Sequence, residues 1–337
     1  MIEQQLWHPV VASRALRDGP LAVSLLDQPL VLWRDHTVVH AWADRCPHRG
    51  AKLSLGRVLT GVHGARLECP YHGWQFGGQG APGRCLHVPA APDFVPPAGH
   101  AATRFEALER HGLVWVRLAA PGTGLPALLH EPPAFDAAAD PAWRSVLCGP
   151  YAVATSAPRL IENFLDLSHF GFVHDGWLGH RGHAQVQGGR VEEGPHGVTV
   201  AGAQAWQPRA HASATTGVPV DYDYAVPHPF AAVLTKRAGA GDPVSNAIAL
   251  FIRPDGEEAC TAWFAMATHN DPASDQALRD FQDAVFAQDR PIVESQQPRA
   301  LPIGRLGPVR ELHGPADRVS AAYRRYLNRL GIALGTC

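Results

Sequence analysis

Two groups of residues in this chain have the types and spacing to hold metal. Cys46 and His48 lie in CPH, Cys69 and His72 lie in CPYH, and a glycine-containing stretch separates the pairs. Two tight turns can offer one thiolate and one imidazole each to a common centre. That donor set suits zinc, or a [2Fe-2S] cluster with both cysteines on one iron and both histidines on the other. Composition alone does not choose between them. Pro47 and Pro70 stiffen the turns, Gly50 and Gly73 permit close backbone approach, and Tyr71 and Trp74 are placed to shield a cluster from water. Those features favour a rigid redox centre. Exchanging two thiolates for neutral imidazoles reduces the negative charge around the irons and raises the potential, so the centre can accept electrons from a reductase.

The second group begins in ENFLDLSHFGFVH, residues 162–174, where His169 and His174 stand five apart. At about 100° per residue they diverge by about 140° on an ideal helix. Convergence on one metal therefore requires a π-bulge or a helix that ends near Gly171. A non-haem Fe(II) site adds a carboxylate to two histidines and keeps positions open for oxygen and substrate. Asp289 is the candidate. It falls four after Val285 and eight after Phe281, on the apolar face of a long helix, where a metal would offset the cost of burying a carboxylate. Periodicity alone leaves two alternatives standing: a surface acid paired with Arg290 or Arg279, and a core histidine pair without metal. Asp166, three before His169, is placed to hydrogen-bond that imidazole and fix its tautomer. Asn163 approaches the metal, orders the site or caps a helix. Phe170, Phe172 and Trp177 crowd this segment as pocket lining or as core. Cys85, Cys148, Cys260 and Cys337 lack partners at ligand spacing and read as free thiols, and the remaining histidines read as solvated loop residues.

The elements that must position these groups follow from hydrophobic pattern. Strand-like runs at 30–35, 38–43 and 113–118 predict a small all-β unit over residues 1–125. A Pro-rich stretch over 119–141, with Pro126 and Pro132-Pro133, predicts a linker. Residues 140–337 form the second predicted domain, with strands at 198–206, 246–253 and 259–267. Leu278, Phe281, Val285, Ile292 and Val293 predict an amphipathic helix over 275–296, bent at Pro291. A second helix over 317–330 presents Val319, Ala322, Tyr323, Tyr326 and Leu330, with Gly331 placed to end it.

The chain has 337 residues, enough for about two domains. With 46% hydrophobic and 18% charged residues it is not a disordered chain. Its 29 basic and 31 acidic residues leave a net charge of −2, so there is no basic field to hold nucleic acid. The absence of a long apolar run and of a leader pattern in MIEQQLWHPV predicts a cytoplasmic protein without membrane attachment. Six scattered cysteines fit a reducing compartment. No G-x-G-x-x-G opens a βαβ unit, which places nicotinamide and flavin on a separate partner, and no G-x-S-x-G elbow points to a hydrolase.

The segments CPHRGAKLSLG and CPYHGWQF resemble the Rieske domain of the Rieske non-haem iron oxygenases. NFLDLSHFGFVH and FAQDRPIVESQQP are similar to the two mononuclear-iron segments of the same family, and the resemblance runs from LWHPV at 6–10 to AYRRYLNRLG at 322–331. It implies an α+β chain: an all-β Rieske domain, then a helix-grip catalytic domain in which an antiparallel sheet wraps a long helix. It implies Cys46, His48, Cys69 and His72 as cluster ligands and His169, His174 and Asp289 as ligands of a mononuclear Fe(II). It further implies that Asp166 sits at a subunit boundary of a homotrimer, linking the iron to His72 or His48 of a neighbouring chain. Electrons would come from NAD(P)H through a reductase, with O2 as co-substrate. Twenty residues separate His48 from Cys69, a few more than in close relatives, and the excess is expected at a loop tip within 59–66. FVHDGWLGHR, SQQPRALP and RLGIALGTC look most like the saxitoxin-hydroxylating branch, followed by vanillate O-demethylase and the caffeine N-demethylases. All imply monooxygenation of a small molecule, by hydroxylation or oxidative demethylation. Ring dihydroxylation is the alternative within the family. A zinc-stabilised binding module or a bare Rieske electron carrier is the alternative outside it.

Overall fold

The computed structural model describes residues 1–61, 64–194, 197–211, 214–238, 245–304 and 309–337. They divide into two compact units, Gln4–Thr123 and Gly124–Cys337, the latter joined by Met1–Glu3.

The first unit is all β. Its strands are β1 (His8–Ala12), β2 (Leu21–Leu25), β3 (Gln28–Asp35), β4 (Val38–Ala43), β5 (Arg57–Leu59), β6 (Arg66–Glu68), β7 (Gln75–Gly77), β8 (Cys85–His87), β9 (Arg104–Arg110) and β10 (Leu113–Arg117). Six of them form a sheet in the order β1-β10-β9-β4-β3-β2, and the other four form the sheet β5-β6-β7-β8. All five residues of β10 are buried, as a continuous LVWVR run requires. Leu26-Asp27 and His111-Gly112 take positive φ at both positions of two-residue turns, the geometry whose twist matches the flanking strands. Trp33, Trp42, Leu67 and Phe76 pack with Cys46 and Cys69 in one core.

Asp35, at the end of β3, is fully buried. It accepts the backbone N–H of Ala65 at 3.0 Å and of Gln79 at 2.7 Å, so one carboxylate ties two hairpin loops to the larger sheet. The longer loop expected within 59–66 joins β5 to β6. Val62 and His63 of that loop lie outside the described residues.

The second unit places helices on one antiparallel sheet. It comprises α1 (Asp136–Ala139), β11 (Arg144–Val153), α2 (Ala157–Leu165), α3 (Phe170–Val173), β12 (Arg190–Gly194), β13 (Gly197–Gln207), β14 (Val218–His228), β15 (Ala231–Ala238), β16 (Ser245–Pro254), β17 (Cys260–His269), α4 (Asp275–Ser295) and α5 (Arg318–Leu330). The strand order is β11-β17-β16-β15-β14-β13-β12. Helix α4 packs on β11 and near α2 and α3, and α5 packs on β12 and β13. This is the expected helix-grip arrangement, and the chain as a whole is α+β. No helix among the described residues is long and apolar enough to cross a membrane.

Helix α4 starts where the Ser274 hydroxyl accepts the Ala277 N–H and runs through Pro291 to Ser295. Its buried face is Leu278, Gln282, Val285, Phe286, Asp289 and Val293. Ile292, expected on that face, is exposed, because one residue before Val293 is about 100° off the stripe. Helix α5 ends at Gly331 with φ 72°, where the Ile332 N–H reaches back to the Leu327 carbonyl, as its glycine signals.

Three corrections to the pattern reading concern whole segments. The stretch 119–141 is not a bare linker: it carries a 3-10 turn at Ala127–His130 and helix α1, with Leu125, Leu129 and Phe135 buried. Strands β11, β12, β14 and β15 were not expected. Gly149-Pro150 interrupts β11 at a register shift, and Pro219 and Pro227 obscure the alternation of β14. The remaining histidines are not all solvated, since His8 on β1 and His228 on β14 are buried.

Candidate metal centres

In the first unit, the loops after β4 and after β6 have the same internal wiring. The Gly50 N–H donates to the Cys46 carbonyl at 2.9 Å, and the Gly73 N–H donates to the Cys69 carbonyl at 3.1 Å. Both glycines have positive φ, 74° and 68°, which a side chain would strain. The loops close through the Cys46 N–H to Ala51 and the Cys69 N–H to Trp74. Asp44 fastens the end of the first by accepting from the Ser54 N–H and hydroxyl, at 2.7 and 2.6 Å.

The result is polarised. Both thiols are buried in the core, whereas His48 is half-buried and His72 is exposed, with ring centroids 4.8 Å apart. Trp74 stacks on His48 at 4.4 Å and shields it, but Tyr71, expected to do the same, is exposed. Burial, with Cys69 beside it, pushes the Cys46 thiol up to about 11, so its thiolate requires cationic charge nearby. Among the described residues, the one group of three ligand atoms within 4.8 Å of one another lies elsewhere. Two buried thiols facing two more exposed imidazoles are the donor set of a [2Fe-2S] cluster with cysteines on one iron and histidines on the other.

That close group is His169, His174 and Asp289. Helix α2, capped by the Ser156 hydroxyl, ends at Leu165, and Asp166 turns extended. The Asp166 carboxylate then accepts the Ser168 N–H at 2.8 Å and holds a sharp turn. The break thus comes at residues 166–168 rather than near Gly171, because an aspartate side chain supplies the turn. His169 and His174 flank the one-turn helix α3 as its N-cap and C-cap, and His174 leaves helical geometry with ψ 32°. Their rings converge without a π-bulge.

The three ligand atoms form a nearly equilateral triangle. His169 Nε2 and His174 Nε2 are 3.3 Å apart and lie 3.4 and 3.1 Å from Asp289 Oδ1. Three mutually perpendicular ligands at about 2.1 Å from an ion stand about 3 Å apart, so the triangle fits one face of an octahedral metal. The outer nitrogens are committed: His169 Nδ1 lies 3.0 Å from Asp166 Oδ2, and His174 Nδ1 lies 2.7 Å from Gln288 Oε1. Each Nδ1–H donates outward, which leaves both Nε2 lone pairs facing inward. Asn163 Nδ2 donates to Asp289 Oδ1 at 3.3 Å and orients it rather than capping a helix.

Charge completes the fit. Burial works to raise the Asp289 pKa, but hydrogen bonds from His169 and His174 outweigh it and hold the carboxyl down to about 2. Burial likewise works against protonated His169, but Asp166 and Asp289 lift it to about 9. Two carboxylates thus create a place for positive charge, which a divalent cation would fill.

Gln288 was not anticipated, although its position beside Asp289 on α4 is the available signal. Gln288→Leu is expected to let the His174 tautomers mix and to weaken mononuclear metal binding by roughly 10-fold to 100-fold, read by metal titration of the metal-free enzyme. Gly179 was also missed. A Cβ there would fall inside the backbone of Phe170 and Gly171 on α3. Gly179→Ala is expected to cost about 1–3 kcal/mol, seen as a lower Tm, and to empty the triad while the cluster absorbance persists.

The triad separates two spaces. On one side is a pocket of about 590 Å³ including its mouth, mostly apolar, lined by Leu160, Phe164, Phe170, Leu234, Ile248, Leu250, Phe264 and Val285, with Tyr222, Lys236 and Gln282 among the polar groups. On the other is a polar cleft with Arg159, Glu162, Asp166 and Arg324. Asn163 and His169 line both. Of the three aromatics expected at the pocket, Phe170 lines it. Phe172 is exposed beneath Arg181, and Trp177 packs on Phe281 and Arg209. A buried network braces the ligand-bearing helix: Arg159 donates to the Pro298 carbonyl at 2.7 Å and pairs with Glu311, and Glu162 pairs with Arg324 at 2.6 Å.

Comparison with known proteins agrees with this division of labour. Residues 6–102 match the Rieske [2Fe-2S] domain family, and residues 153–333 match the vanillate O-demethylase oxygenase C-terminal domain. Methylxanthine N1-demethylase NdmA of Pseudomonas putida is 34% identical, over 97% of this chain and 89% of its own length. Its structure with caffeine superposes with a TM-score of 0.78 at 32% identity, covering 96% of this chain and 90% of that one. Dicamba monooxygenase bound to 3,6-dichlorosalicylic acid superposes with a TM-score of 0.75 at 27% identity, covering 97% of both chains. The similarity thus reaches the demethylating branch that the pattern reading placed second, and with both domains matched in order along its length the chain belongs to the Rieske non-haem iron oxygenases.

Proposed function

We propose that this oxygenase removes or hydroxylates a methyl group on a small ring molecule held in the pocket beside His169, His174 and Asp289. The observation that carries the reading is the triangle of two imidazole nitrogens and one carboxylate oxygen opening on a mostly apolar pocket. Cys46, His48, Cys69 and His72 hold the [2Fe-2S] cluster, and His169, His174 and Asp289 hold the mononuclear iron. When bound, the cluster supplies single electrons and the iron supplies oxygen activation towards a C–H bond. Asp166 and Gln288 fix the two imidazole tautomers, Asn163 orients the carboxylate, and the apolar walls exclude water from the reacting carbon.

Electrons come from NAD(P)H through a separate reductase that docks near the exposed His72. The working unit is a homotrimer in which Asp166 connects the iron to a cluster histidine of the next chain. The chain acts in the cytoplasm, without nucleic acid or membrane.

The test is metal and sulfide analysis of anaerobically purified protein with EPR after reduction, followed by formaldehyde release from a panel of N-methyl and O-methyl ring compounds. About three irons and two sulfides per chain, with a rhombic cluster signal, are expected. Zinc without sulfide, or the metals without oxygen-dependent turnover of any methylated ring, would overturn the reading.

A further inference from the structure

Lys236 is out of place in this pocket. It lies on β15 with 7% of its surface exposed, and it lines the same space as the three metal ligands. Burial lowers its pKa to about 8, with Asp271 opposing the shift through space, so at neutral pH most of its ammonium stays charged. Its side chain forms no hydrogen bond or ion pair among the described residues. The one carboxylate that shares the pocket, Asp289, is held by both imidazoles and by Asn163.

The register shows that this is a built feature. Tyr222 pairs with Lys236, Lys236 with Asn246 and Asn246 with Thr268, one residue from each of four adjacent strands. All four are buried. The next row on the same face, Tyr224, Leu234, Ile248 and Met266, is otherwise apolar. The sheet therefore carries a polar band across the face whose Tyr222 and Lys236 line the pocket, in which the Thr268 hydroxyl also has no hydrogen-bond partner. Burial raises the Tyr222 pKa, so that phenol stays neutral and keeps its proton to donate. A buried cation without a hydrogen-bonded partner is costly, and an anion bound beside it would offset that cost.

Resting on the function proposed above, we propose that Lys236 determines substrate specificity, and that the substrate is a small ring molecule carrying an anionic oxygen such as a carboxylate, which the Lys236 ammonium receives. The ring then lies along the apolar wall, with its methyl group turned to the triad. An ion pair made in so dry a pocket is stronger than one in water, and a neutral isostere leaves the ammonium unmet.

The test uses anaerobic holoenzyme and calorimetric titration with two probes of equal shape, 4-methoxybenzoate and 4-methoxybenzamide. The carboxylate is expected to bind at least about tenfold tighter to the native chain. Lys236→Met should erase that preference while leaving metal content and sulfide unchanged, and Lys236→Arg should keep it. The Met variant should melt no lower than the native protein. Equal binding of the two probes, survival of the preference in Lys236→Met, or a lower Tm for that variant would each overturn the assignment. Formaldehyde release by the same preparations separates the two proposals: turnover of neutral methylated rings with no advantage for acids removes the role of Lys236 and leaves the oxygenase standing, whereas missing iron removes the oxygenase.

Discussion

Asp289→Ala is expected to lower iron from about three to about two per chain, leave sulfide at about two, and reduce turnover by at least about a thousandfold. The cluster signal should be unchanged, because its four ligands belong to the other compact unit. The carboxylate supplies the negative charge that offsets a divalent cation in a pocket whose walls are mostly apolar. Without it, two neutral imidazoles 3.3 Å apart remain, a weak pair for Fe(II). Asn163 would also lose the acceptor for its amide. Iron analysis, EPR and a reductase-coupled assay on one preparation read all three effects. A variant that keeps three irons and native turnover would show that Asp289 is only a buried acid.

Asp166→Asn should leave most of the fold intact and lower turnover by roughly a hundredfold or more. The aspartate does two jobs with its two oxygens, accepting from the Ser168 N–H at 2.8 Å and from His169 Nδ1–H at 3.0 Å. Asparagine can do only one of them. With its oxygen left on Ser168, its amide faces His169 Nδ1 and drives the ring proton to Nε2, where the metal lone pair should be. With the amide reversed, the turn that separates α2 from α3 loses its tether. Single-turnover kinetics of the reduced, iron-loaded variant isolate this effect from iron loss. Native rates at full iron occupancy would show that the hydrogen bond to His169 is dispensable.

What was legible in the sequence was local. The four proposed cluster ligands sit on short turns whose Pro and Gly flank them, so one stretch of chain states most of its own geometry. His169 and His174 were visible as a pair, but the means of their convergence was not, because it depends on the Asp166 side chain folding back on the backbone. Asp289 was legible through helical period, since a carboxylate on a buried stripe needs a reason. Lys236, Tyr222 and the rest of the pocket wall were not, because they meet through register across strands distant in sequence, two of which carry prolines or follow one. Phe172 and Trp177 were misplaced for the complementary reason: nearness in sequence to a ligand says little about which way a one-turn helix faces.

The triad, with Asn163 and His169 facing both the apolar pocket and the polar cleft, also bears on how such an enzyme can diversify. Residues of the sheet wall can be exchanged one at a time without disturbing Arg159, Glu162 or Asp166 on the far side. Selection can therefore reshape what the pocket accepts while the charged cleft behind the triad stays as it is.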